Sequence, residues 1–377
     1  MPEPDSDNAI CPHPLGLTAA GFAAAYPRIR GGARAAYKAI FRDGRNDWPG
    51  AEFRVAPIVR ELREESSEGQ VIKFVQDLGG DADGSGGAQA PVVAAGRRGV
   101  PTQIESVLIP MIGRSGVSTY TLCVSSQVGC AMGCTFCETA QMGLVRSLQP
   151  HEIVGQWFAA THLVGVRPKN LVFMGMGEPM DNIDNVFAAI AALTDHNGAH
   201  HAMNKITVST VGRIDGLKRM AEQIHKPGWH RLNLAVSVNA PNDEIRSRIM
   251  PVNRAMPMGE LRDVLLAWPK YGGAKICIEY VLIPGVNDGP EHARQLAEYV
   301  RPLPACVNII PYNPRRNSPW PAPTEESVAA FLGWLSEAGA YCKRRRTKGR
   351  DMMGACGQLG NEQIRKRKYV GVSVSGA

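Results

Sequence analysis

From about residue 115 the chain repeats one unit six times: a short apolar strand followed by a segment of helical periodicity. Strands are expected at TLCVSS (121–126), NLVFMGM (170–176), KITVST (205–210), RLNLAVSV (231–238), KICIEYVLI (275–283) and ACVNIIPY (305–312). Between them, HEIVGQWFAATHLV, NVFAAIAALTD, GLKRMAEQI, GELRDVLLAW and EHARQLAEYV space apolar residues three and four apart, as a helix with one buried face requires. Strands linked through helices run parallel, because a parallel pair needs a crossover connection. A flat doubly wound sheet and a barrel both satisfy this pattern. The expected fold class is α/β, a partial six-unit (β/α)6 barrel spanning 115–342.

Residues 1–75 read as a small helical accessory domain, through GLTAAGFAAAYPRI, ARAAYKAIFRDG and EFRVAPIVRELREES. Residues 76–114 read as strand and linker, with GGDADGSGGAQAPVVAAGRRG as a glycine-rich surface loop. Residues 343–377 form a basic C-terminal segment. No run of about 18 apolar residues exists to span a membrane, and MPEPDSDNAI is acidic and polar, unlike a secretory leader. A cytoplasmic protein without a membrane partner is expected.

The chain has nine cysteines, four of them between positions 123 and 137. An odd, clustered set is a poor disulfide framework and a good source of metal ligands. Cys130, Cys134 and Cys137 form a C-x3-C-x2-C run directly after the first barrel strand. Thiolates suit zinc or iron–sulfur clusters. A closed zinc site needs four ligands, which His151 would complete; three cysteines alone suit a four-iron cluster with one iron free to bind something. A chance run of buried thiols is the third possibility. Cys11, Cys277, Cys306 and Cys342 receive no role.

In a β/α barrel the reacting groups gather at the C-terminal ends of the strands. Here those ends carry Cys130 to Cys137, Gly177-Glu178-Pro179, Ser209, Ser237 with Asn239, and Asn313. Five polar ends out of six point to one shared pocket. The net charge is +7, concentrated in KRRRTKGR (343–350) and RKRK (365–368). Such clusters permit nucleic-acid binding and equally describe a solvated surface.

The segments TLCVSSQVGCAMGCTFCETAQMG, VFMGMGEPMDN, KITVSTVG, AVSVNAPNDEIR, IEYVLIPGVNDG, NIIPYNP and GACGQL together resemble the RlmN/Cfr family of radical S-adenosylmethionine RNA adenine methyltransferases. The resemblance implies a [4Fe–4S] cluster on Cys130, Cys134 and Cys137, with S-adenosylmethionine on the open iron. Gly177, Glu178, Ser209, Ser237, Val238, Asn239 and Asn313 match its cofactor-contacting positions. Cys356 matches a nucleophile that carries a methyl group from one S-adenosylmethionine. A radical drawn from a second converts that group to a methylene radical that adds to adenine. Cys123 then attacks the Cys356 sulfur, releasing product and leaving a disulfide. Glu105 matches a proton acceptor, with a solvated strand-edge glutamate as the rival possibility.

The resemblance further implies 23S ribosomal RNA as substrate, transfer RNA as a second one, and an electron donor such as flavodoxin or ferredoxin. It leaves C2 as the expected target carbon, with C8 methylation, or a radical S-adenosylmethionine reaction on another substrate, as the alternatives, and a monomer as the expected state. Two departures stand out. The family reads S-L-H-A at strand four where this chain has Ser237-Val238-Asn239-Ala240, and it carries acidic and small residues where this chain has Met352 and Met353. Lys343, Arg344, Arg345, Arg346, Lys348 and Arg350 flank Cys356 in sequence, where phosphate attraction would be useful.

Overall fold

The first turns of the chain are helical because their ends are capped. In the computed structural model, which describes residues 12–79, 102–113, 116–269, 271 and 275–360, Thr18 caps α1 (Ala19–Ala25) by accepting from the Gly21 N–H. Helix α2 (Ala33–Asp43) stops at Gly44, whose φ of 72° lies in the left-handed region glycine tolerates at a C-terminus. Its face of Tyr37, Ile40 and Phe41 is buried.

The helical expectation fails after that point. IVRELREES forms a strand, β1 (Ile58–Ser66), paired antiparallel with β2 (Gly69–Asp77). Arg, Glu and Leu favour helices only weakly. From Glu61 onward the segment instead alternates exposed and half-buried positions, and the apolar run VIKFV opposite offers a pairing edge. Next come β3 (Gln103–Ile112) and β4 (Ser118–Cys123), both antiparallel to their predecessors. The residue-80–99 part of the glycine-rich loop, Cys11 and the RKRK cluster lie outside the described residues.

After β4 the alternation is realised. A small ribbon of β5 (Gln127–Gly129) and β6 (Leu144–Ser147) flanks α3 (Glu138–Met142), followed by α4 (Pro150–Phe158). The remaining units are β7 (Asn170–Phe173) with α5 (Ile183–Thr194), β8 (Ile206–Thr210) with α6 (Ile214–Ile224), and β9 (Asn233–Ser237) with α7 (Asp243–Ile249) and α8 (Met258–Leu266). They continue through β10 (Ile276–Leu282) with α9 (Pro290–Val300), β11 (Ala305–Pro311) with α10 (Glu325–Glu337), and a short β12 (Cys342–Arg344). One ten-stranded sheet runs in the order β1-β2-β3-β4-β7-β8-β9-β10-β11-β12. It is parallel from β4 onward.

The six expected strands are therefore neighbours in sequence order, and β12 adds a seventh parallel strand. β1 and β12 are the two edges, which makes the barrel partial. Ile278, Leu234, Leu171 and Val208 are buried against the helical layer with Leu217, Leu296 and Phe331. Among the described residues no helix is long and apolar enough to cross a membrane.

Candidate active site

The three-cysteine loop is anchored before any metal is considered. Gly129 opens it at φ +76°, where a side chain would meet the Gly143 carbonyl oxygen. The Cys130 N–H donates to that oxygen at 3.1 Å, and the Thr135 N–H donates to Ile249 O at 3.0 Å. Arg315 Nε donates to Thr135 O at 2.8 Å. Cys130 and Cys134 are buried and Cys137 is half-buried. Burial raises all three thiol pKa values, and the sulfurs' mutual repulsion raises those of Cys130 and Cys134 further.

Three thiols crowded in an apolar pocket become thiolates when an electron-poor group shares their charge. Among the described residues, no three His, Cys, Asp or Glu side chains gather tightly enough to hold one metal ion. The zinc site completed by His151 therefore does not form; His151 stacks on His13 with ring centroids 4.3 Å apart. A [4Fe–4S] cluster fits this donor set, three soft sulfurs presented by one anchored loop.

The other strand ends surround this loop. Gly177 has φ +102°, and a Cβ there would meet Gln127 at 2.6 Å, so only glycine brings Glu178 this close to the sheet. Glu178 accepts from Val211 N at 2.9 Å and Met180 N at 3.1 Å. Burial nevertheless pushes its carboxyl up to about 7. With nothing bound, the folded protein holds this proton between pH 4.5 and about 7 while the unfolded chain has released it. Stability is thus expected to fall by about 3 kcal/mol as pH rises through that window. Denaturant midpoints measured from pH 4.5 to 8 check this, and Glu178→Gln should flatten the slope.

Ser209 and Ser237 turn toward a residue that the sequence reading passed over. Their hydroxyls donate to Glu279 Oε2 at 3.0 and 3.4 Å. Glu279 is a buried carboxylate inside the apolar strand ICIEYVL, and a charge in such a strand was the available clue. Asn239 has φ +56°, a conformation asparagine tolerates better than most residues. Its Oδ1 accepts from Val281 N at 2.9 Å, its Nδ2 lies 3.4 Å from Met250 Sδ, and its own carbonyl accepts from Asn287 Nδ2 at 2.8 Å. The side chain that replaces the family's histidine thus holds neighbouring backbone. Arg246, also passed over, donates to Val211 O, Val238 O and Ser237 O, tying the ends of β8 and β9 together.

Cys356 comes to the same rim from the C-terminal loop. The Glu138 N–H, one residue past Cys137, donates to Gly357 O, one residue past Cys356, at 2.7 Å. Asn313 Nδ2 donates to Cys356 O at 3.4 Å, and Cys356 lines a small cavity with Ile109, Ile310, Asn313 and Arg345. At the end of β4, burial first, and repulsion from the Cys356 thiolate second, push the Cys123 thiol up to about 12. Burial also raises Cys356, opposed chiefly by the Arg345 guanidinium. Arg345 in turn lies 3.5 Å from Glu279 Oε1. Both cysteines are free thiols.

Glu105 is not a solvated strand-edge residue. β3 lies between β2 and β4, and Glu105 is buried, 3.0 Å from Lys73 Nζ and 2.9 Å from the Gly360 N–H. The basic run before Cys356 also differs from expectation, because much of its charge is used internally. Arg344 pairs with Glu325, Arg345 with Glu279, and Lys348 and Arg346 with Glu68. Arg350 donates to Asn313 Oδ1 at 3.2 Å. Of the paired cations, Arg346 remains well exposed; Lys343 lies 5.5 Å from the Tyr341 ring centre.

Residues 124–297 match the family model described as the radical SAM superfamily. The chain is 43% identical over 265 residues to the probable dual-specificity RNA methyltransferase RlmN 1 of Protochlamydia amoebophila, covering 70% of this chain and 72% of that one. It is 41% identical over 269 residues to the dual-specificity RNA methyltransferase RlmN of Nitratidesulfovibrio vulgaris, with the same coverage. A crystal structure of a radical SAM methyltransferase from Sphaerobacter thermophilus superposes with a TM-score of 0.76 at 31% identity, covering 92% of this chain and 98% of that one. Likeness at that identity over more than two thirds of a relative's length, on a shared barrel, settles descent: the chain belongs to the RlmN family of radical SAM proteins.

Proposed function

We propose that the chain methylates C2 of an adenine in 23S ribosomal RNA and, as a second substrate, an adenine in transfer RNA. One adjacency carries the proposal: the loop bearing Cys130, Cys134 and Cys137 is hydrogen-bonded to the loop bearing Cys356, whose thiol is within electrostatic reach of Cys123. A [4Fe–4S] cluster on the trio, together with S-adenosylmethionine against Glu178, Ser209, Ser237, Val238, Asn239 and Asn313, supplies the methyl groups and one-electron chemistry.

The chain's own residues do the rest. Cys356 loses its proton and takes the methyl group on sulfur, beside the Arg345 cation, which favours the thiolate. The bound carbon is thereby held at a fixed point on the rim while the base is presented to it. The bond from that carbon to C2 forms once the methyl group has given up one hydrogen atom to the one-electron chemistry; the adduct then gives up one electron to it and its ring proton to Glu105. Cys123 then attacks the Cys356 sulfur: the S–S bond forms as the bond from sulfur to the product carbon breaks, and that carbon takes the electron pair and a proton. An external dithiol restores the two thiols, and a small electron-transfer protein of the flavodoxin or ferredoxin class reduces the cluster. The adenine must leave its stack to reach this pocket.

Anaerobic turnover with methyl-labelled S-adenosylmethionine and ribosomal RNA fragments, followed by nucleoside mass spectrometry, tests the proposal. Labelled 2-methyladenosine is the expected product. Only 8-methyladenosine would overturn the position, and 5′-deoxyadenosine without any methylated base would overturn the substrate.

A further inference from the structure

The loop between β12 and residue 360 starts at the last strand of the sheet and returns to its first hairpin. Its contacts there are specific. Glu68, in the β1–β2 turn, takes Lys348 Nζ at 2.8 Å and Arg346 Nη1 at 3.4 Å. Glu64 Oε2 accepts from the Met352 N–H at 3.2 Å. Deeper in the sheet, Lys73 on β2 donates to Met353 O at 2.9 Å, and Glu105 on β3 accepts from the Gly360 N–H at 2.9 Å. Lys73 and Glu105 are themselves an ion pair at 3.0 Å, each side chain 3% exposed.

One buried pair therefore grips the loop three residues before Cys356 and four residues after it. Met353 holds φ +53°, a conformation uncommon in a non-glycine residue, and its carbonyl meets the ammonium. A buried ion pair is weak evidence for stability as such, because desolvation opposes the attraction. Its value here is positional. A thiol that must meet a methyl donor, then a base, then Cys123 needs a placement that a free loop does not provide.

We infer that the Lys73–Glu105 pair is a two-sided clasp for the reactive-cysteine loop, and that Lys73 is a positioning residue for Cys356. The clasp ties the loop that leaves the edge strand β12 to the interior strands β2 and β3, so the loop is fixed by the sheet that carries Cys123. The role assigned to the thiol rests on the function proposed above; the clasp itself is a property of the folded chain.

The test reads the loop rather than the reaction. In full-length protein reconstituted with iron and sulfide, the rate of Cys356 alkylation by iodoacetamide is followed by peptide mass spectrometry. Lys73→Met should raise that rate about tenfold, as expected for local opening, at unchanged iron content. Lys73→Arg, which keeps charge and donors, should restore the slow rate. Alkylation of the iron-replete Lys73→Met protein at the parent rate would overturn the clasp. Should that variant not fold, hydrogen exchange of the parent decides: the Met352 and Gly360 amides are expected to be protected, and exchange at free-loop rates would overturn it. Failure of the parent to methylate RNA would sink the functional proposal and leave these rates untouched.

Discussion

Cys356→Ala protein is expected to lose methyl transfer to RNA by about 10³-fold or more, the scale seen when a covalent nucleophile is removed. It should keep its iron and its ability to cleave S-adenosylmethionine. The trio at 130–137 is anchored by Gly143, Ile249 and Arg315, so its shape is independent of the Cys356 thiol. Cys123→Ala is expected to behave differently. It leaves the nucleophile in place and removes the group that breaks the last bond, so protein should accumulate covalently joined to RNA. A nuclease-sensitive mass increase on denaturing gels, absent from the double variant, reads this directly. Free product released by Cys123→Ala at the parent rate would refute the resolving role, and methylation by Cys356→Ala would refute the detour through sulfur. The two thiols lie 233 positions apart in sequence (356 − 123) yet within electrostatic reach of each other, which only the barrel and its return loop arrange.

What the sequence made legible follows from what kind of interaction builds each part. The parallel strands were readable because their order is set by local periodicity: an apolar run and an amphipathic helix, six times over. The cysteine trio was readable because ligand spacing is local too. β1 was misread because Arg, Glu and Leu carry helical propensity while the deciding interaction, pairing with VIKFV, comes from another segment. The same limit hid the partners inside the barrel. Nothing near Ser209 in sequence announces that its hydroxyl meets Glu279, seventy positions on, at 3.0 Å. The basic run was the reverse case. KRRRTKGR looks like a phosphate-binding patch, but Glu68, Glu279 and Glu325, scattered through the chain, neutralise much of it. RNA attraction by this segment therefore rests on fewer free cations than its composition suggests.

Arg246 shows how far such hidden partners matter. Its side chain is fully buried, and burial lowers its pKa. Its guanidinium donates to Val238 O at 3.0 Å, Val211 O at 2.5 Å, Ser237 O at 3.4 Å, Met256 O at 3.5 Å and Asn253 Oδ1 at 2.8 Å. Those acceptors are neutral carbonyl oxygens, so the group works as a rigid five-donor fork. Methionine keeps an unbranched, flexible apolar stem and supplies no donor. Arg246→Met thus leaves the buried Val238 O and Asn253 Oδ1 without this donor, along with three half-buried carbonyls, a buried unsatisfied group costing about 1–3 kcal/mol. Relief of the arginine's own desolvation offsets part of this. The expected net loss is about 3 kcal/mol in stability, the cost of the unsatisfied carbonyls less the desolvation regained. Because the stranded carbonyls lie where β8 and β9 end, beside Glu178 and Ser237, affinity for S-adenosylhomocysteine should fall by about tenfold or more as the rim loses its placement. Arg246→Lys should recover only part of either effect, since one ammonium cannot span both strand ends. Denaturant unfolding and equilibrium dialysis read the two quantities separately. An Arg246→Met protein with the parent's midpoint would mean the carbonyls find other donors, and the fork would then have no part in shaping the rim.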